Sequence, residues 1–152
     1  VCFILLLVCV VGLKNGPEKF AVFYEEDVKA RVVELEYTTE KELKRSFTIS
    51  GIALFVPMII IVPLMVYYIN GVSDFWSAFW QMTAIFMIGN LFDRLFIDEF
   101  WVGHTKAWFI PGTEDLMPYI PVKVKIKKWV GNLIMFPLLS AIIAGIVTLF
   151  MK

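Results

Sequence analysis

The residues with chemical capacity gather in one stretch, Asn90-Leu91-Phe92-Asp93-Arg94-Leu95-Phe96-Ile97-Asp98-Glu99, followed by Phe100-Trp101-Val102-Gly103-His104. On a helix, Asn90, Asp93, Arg94, Ile97 and Trp101 share one face. Arg94 and Asp98 stand four apart and can pair, while Glu99 points nearly the opposite way. Three chemistries fit these residue types. The leading expectation is a hydrogen-bonded network that locks helices together at a membrane boundary. The second is a pathway for a solute, proton or ion, with Asp93 as buried acid and the Arg94 charge tuning its pKa. The third is a metal or phosphate site with Asp93, Asp98 and His104 as ligands, serving a metal-dependent enzyme on lipid headgroups. Asp93 and Asp98 are five apart, out of register on an ideal helix, and make a poor acid/base pair unless the helix unwinds there. His104 is the sole histidine, and such a residue near an interface more often sits at the surface than on a metal. No nucleophile elbow, phosphate-binding glycine loop or paired-histidine signature accompanies them. Nothing here argues for an enzyme, and the residues leave the cofactor open.

The elements that must position this stretch are membrane spans. Of 152 residues, 59% are hydrophobic and only 18% are charged, and the mean hydropathy is +0.76. A soluble domain of this size has too much surface to hide that much apolar area. The 14 basic residues balance 14 acidic ones, so nothing suggests a nucleic-acid partner. Crossing about 30 Å of hydrocarbon takes about 20 apolar residues in a helix. Runs over 49–69, 75–97 and 129–151 meet that need. The apolar run over 1–13, which opens on Val1 rather than Met, reads as the surviving end of a longer helix. The expectation is therefore an all-α membrane protein, a single domain folded as a four-transmembrane-helix bundle. Cys2 and Cys9 lie within the first run, where apolar burial is the natural reading.

Basic residues crowd the connections 14–48 and 98–128, among them Lys14, Lys19, Arg31, Lys44 and Lys106, whereas 70–74 has none. The positive-inside rule then places both long loops in the cytoplasm and both termini outside. Within the first loop, Glu25 to Ser46 lacks Gly and Pro and predicts one connecting helix leading into the second span. The favoured reading is a solvated connecting helix; the alternative turns its Val28, Val32, Leu35 and Leu43 to the bilayer surface or a partner. In the second loop, Ile110-Pro111-Gly112-Thr113 is a type II turn signature, and Pro118 and Pro121 keep the chain extended. Lys123, Lys125, Lys127 and Lys128 are candidates for anionic lipid headgroups, at about 1 kcal/mol each, although topology determination accounts for the same lysines.

The spans themselves carry packing signals. Pro137, Ala141 and Gly145 recur at intervals of four in the last span, with Ser140, Ala144 and Thr148 on the adjoining ridge. Small residues at that spacing let backbones approach closely, and Ser50 and Gly51 offer the same in the second span. Pro57 and Pro63 shape that span by removing helix hydrogen bonds.

Set side by side, Asn90-Leu91-Phe92-Asp93, Asp98 and the loop Lys106-x-x-x-Ile110-Pro111-Gly112-Thr113-Glu114 resemble an uncharacterised group of small bacterial four-helix membrane proteins. The resemblance covers residues 48–150. It implies a prokaryotic plasma-membrane location and the same topology, and nothing catalytic. The functional expectation is a non-enzymatic membrane component that packs against itself or a partner membrane protein. The alternative is a small-solute or ion carrier built on Asn90, Asp93, Arg94 and Asp98.

Overall fold

A computed structural model describes residues 1–14 and 16–150 of the chain. Among these the protein is all-helical, with 83% of residues in helix and no strand. Helix α1 (Cys2–Leu13) is apolar throughout and stops at Lys14. Gly16 then turns the chain at φ +102°, and Pro17 opens a 3-10 segment, Pro17–Phe23, at a position where its missing N–H costs nothing. Helix α2 (Glu26–Glu34) carries Glu26 and Asp27 in its first turn, where the helix dipole favours carboxylates.

The single connecting helix expected over Glu25–Ser46 does not form. Helix α2 ends when the Glu36 N–H donates to the Val33 carbonyl (3.0 Å) and the Tyr37 N–H to the Val32 carbonyl (3.2 Å), a Schellman closure. Its left-handed position is held by Glu36 at φ +60°, where glycine is usual. Helix α3 (Glu40–Leu64) then starts behind a complete capping box. The Glu42 N–H donates to the Thr39 hydroxyl (3.2 Å), and the Thr39 N–H donates to the Glu42 carboxylate (3.3 Å). Glu36 and Glu40, four apart in the single helix expected here, therefore share no helix. Val28, Val32 and Leu43 are buried rather than turned to a bilayer or partner, and only Leu35 is exposed.

Helix α3 runs through both prolines and widens into π-helical turns over Met65–Ile69. Helix α4 (Phe75–Phe92) begins where the Asp74 carboxylate accepts the Ser77 N–H at 2.9 Å, a bond that holds the Asp74 carboxyl below the usual range. It continues without interruption as a π-helix, Asp93–Val102. Helix α5 (Val122–Phe150) starts directly after Pro121, whose carbonyl accepts the Val124 and Lys125 N–H groups. The four lysines of this region thus lie on the first turns of α5.

Two helices, Glu40–Ile69 and Val122–Phe150, are long and apolar enough to cross a membrane. Helix α1 has 12 residues, and the 18 residues of α4 include Ser77, Gln81, Thr83 and Asn90. The fourth expected span ends on Met151, which lies outside the described residues.

Two cores result. One joins Met58, Val62 and Val66 of α3 to Ala78, Met82 and Phe86 of α4 and Phe136 and Ala144 of α5. The other is built largely from the connections and brings Phe20, Tyr24, Val28 and Val32 against Ile97, Trp108, Ile110 and Tyr119. The two long loops are therefore a packed cap rather than solvated connections, and the polar end of α4 lies where the two cores meet.

Candidate functional site

Helices α4 and α5 run antiparallel, with the Phe86 and Phe136 rings stacked at 5.7 Å. Small residues set the spacing. Ser140 and Ala144 are fully buried, while a Cβ on Gly145 would touch nothing, so the Ser140–Ala144 ridge packs inside the chain. At Gly89 an added Cβ would stand 2.3 Å from the Val1 side chain, so the start of α1 approaches α4 closely there.

Toward the end of α4 this apolar seam becomes polar. The Asn132 amide donates to Asn90 Oδ1 at 2.5 Å. The Lys128 ammonium lies 3.7 Å from the Asp98 carboxylate, and Lys125 pairs with Glu99. Residues 125, 128 and 132 follow helical spacing on α5 and meet 99, 98 and 90 in reverse order on α4. The hydrogen bond from Lys125, reinforced by its charge, holds the Glu99 carboxyl below its usual range.

The π-helical stretch changes the register expected within α4. A π-helix bonds i to i+5, which brings residues five apart toward one face. Asp93 and Asp98, out of register on an ideal helix, are both bound by the Arg94 guanidinium, one through each terminal nitrogen. The Arg94 and Asp98 side chains are only 11% and 10% exposed and that of Asp93 is 23% exposed, so the group is shielded from solvent. Two carboxylates facing Arg94 and Lys128 balance in charge. All four candidates, Asn90, Asp93, Arg94 and Asp98, come together.

His104 does not join them. Its Nδ1 lies 2.7 Å from the Glu99 carbonyl on the exposed side, and no group of three His, Cys, Asp or Glu among the described residues is arranged to hold a metal. Of the candidate headgroup lysines, Lys125 and Lys128 engage acids, whereas Lys123 and Lys127 are exposed.

The cap is stitched by the second loop. Gly112 at φ +82° and the Thr113 N–H donating to the Ile110 carbonyl at 3.3 Å complete the expected turn. A Cβ at Gly112 would also press to 2.8 Å from Leu35. The buried Thr113 hydroxyl donates to the Ile110 carbonyl (2.7 Å) and meets the Tyr119 hydroxyl (2.6 Å), which accepts the Ile110 N–H (3.0 Å). Arg31 reaches from α2 to both carboxylate oxygens of Asp115 and to the Gly112 carbonyl. That contact raises the Arg31 pKa and lowers that of Asp115.

Sequence reasoning missed Tyr24 and Trp108, which line one cavity together with Asp93, Arg94 and Asp98. Their rings are buried, with Tyr24 stacked on Tyr119 at 4.7 Å and Trp108 edge-on to Phe20 at 5.6 Å. Burial pushes the Tyr24 phenol up, so it stays protonated. No spacing rule ties these two residues to Arg94. The missed lysine pairing did have a signal, because 125, 128 and 132 fit one helix face. Comparison of the chain with protein-family models, curated proteins and solved structures finds no match.

Proposed function

We propose that the chain is a multi-pass, non-enzymatic component of a bacterial plasma membrane, acting through helix packing with a second copy or a partner membrane protein. The observation that carries this reading is how little α3 and α5 bury within the chain. Only 22% and 17% of their most apolar windows are covered, although both helices are long. Lipid covers such surface without penalty, and small residues on it let another helix approach. Among the described residues, and apart from their chain neighbours and their own helix's backbone, Gly51, Gly131 and Gly145 have no atom within 4 Å of where a Cβ would stand, so the chain's own packing does not use them. Trp76, Trp80 and Tyr68 are exposed at the opposite end from the charged cap, as interfacial aromatic residues are. The topology proposed has four spans, and the basic residues of the cap support placing both long loops in the cytoplasm. The paired charges at the end of α4 act as the lock between helices.

Native mass spectrometry of protein released gently from its membrane tests the proposal. A defined complex that Gly145→Leu dissolves, with the monomer's melting temperature unchanged, is the expected result. A monomer, or a complex indifferent to both Gly145→Leu and Gly51→Leu, refutes it.

A small-solute or ion carrier is the second reading, favoured by two cavities that meet at Asp93 and Arg94. The double change Asp93→Asn with Arg94→Gln separates the two. Lost transport in a normally stable protein supports carriage, and a lowered melting temperature supports the lock.

A further inference from the structure

Seven buried side-chain polar atoms lack a hydrogen-bond partner among the described residues, and four of them, on Tyr24, Asn90, Arg94 and Trp108, belong to residues lining two adjoining cavities. The cavities measure about 230 and 170 Å³ and share Leu5, Leu54, Asp93 and Arg94. Together they reach the lower range of small-molecule sites.

The four groups have one chemistry. Trp108 Nε1, Arg94 Nε and Asn90 Nδ2 can only donate, and the protonated Tyr24 hydroxyl donates as well. A buried donor without an acceptor is costly, and four such donors on residues that wall the same two cavities call for acceptor oxygens. The charge count narrows the ligand. Asp93 and Asp98 already balance Arg94 and Lys128, so a full negative charge would sit against two carboxylates without a free cation to meet it. The remaining walls are apolar, with Leu5 and Val8 of α1, Phe20 and Leu54 among them.

We propose that these paired cavities bind an uncharged amphiphile through a carbonyl oxygen, an acyl ester being the chemical class that fits, with Tyr24, Trp108 and the Arg94 Nε–H as donors. The site stands apart from the packing reading, since it lies inside one chain and needs no second copy.

The test uses the full chain in lipid nanodiscs with a diazirine-tagged octanoyl monoacylglycerol. Saturable labelling is expected, competed by octanoic acid methyl ester but not by octanoate or octane. Tyr24→Phe should weaken labelling about two- to tenfold, the worth of one neutral hydrogen bond, without lowering the melting temperature. The remote orphan Tyr67 supplies the control, and Tyr67→Phe should change nothing. Leu5→Trp, which fills both cavities, should abolish labelling. Non-saturable labelling, equal competition by octane, stronger competition by octanoate, or wild-type labelling in Tyr24→Phe would each overturn the proposal.

Discussion

Replacing Arg94 by Gln isolates what the charged cluster contributes. Arg94 makes one charge-assisted hydrogen bond to Asp93 and one to Asp98, and each such bond is worth about 1.5–3 kcal/mol. Asp98 keeps Lys128 at 3.7 Å, so the uncompensated charge falls chiefly on Asp93, which is partly exposed. The expected loss is therefore about 3 kcal/mol, the lower end of the 3–5 kcal/mol typical of breaking a buried pair. Asp98→Asn in the same protein should cost less after Arg94→Gln than alone, because the two share a contact. The coupling should be about 1–3 kcal/mol. Reversible unfolding in mixed micelles, followed by tryptophan fluorescence, measures all four corners of this cycle. A loss below about 1 kcal/mol for Arg94→Gln, or additive effects, would refute the view that Arg94 clamps the two carboxylates.

The break between α2 and α3 gives two opposite expectations in the same assay. Glu36→Gly relieves a left-handed residue and should stabilise by up to about 1 kcal/mol, since the strain removed exceeds the added chain entropy. Thr39→Ala removes the capping box and should cost about 1 kcal/mol. The Arg31–Asp115 contact predicts a pH effect. The Asp115 pKa is depressed in the folded protein, so its contribution is present above the ordinary aspartate pKa of about 3.9 and fades as pH falls through the lower folded value. Amide exchange over residues 112–117 should quicken below about pH 4, and Asp115→Asn should abolish that dependence.

The sequence by itself determined the helical class and the two helices long and apolar enough to cross a membrane, because uncharged runs of that length satisfy their backbone in lipid only as helices. It also determined the turn at Pro111-Gly112, where a positive φ needs glycine, and the identity of the polar cluster, because ionisable side chains in so apolar a chain are few. The end of α2 was hidden because Glu36 occupies a position that usually announces itself as glycine, although Thr39-x-x-Glu42 does spell the restart. Tertiary structure decided the rest. Nothing local to Asp93–Val102 signals a π-helical register, yet that register lets one guanidinium hold both carboxylates. The lysines of α5 read as topology signals first and lipid contacts second until α4 is set antiparallel beside them and Lys125 and Lys128 meet Glu99 and Asp98. The unpartnered donors on Tyr24 and Trp108 exist as a feature only once the two long loops fold over Arg94. Burial and partnership belong to the assembled chain, and no single segment carries them.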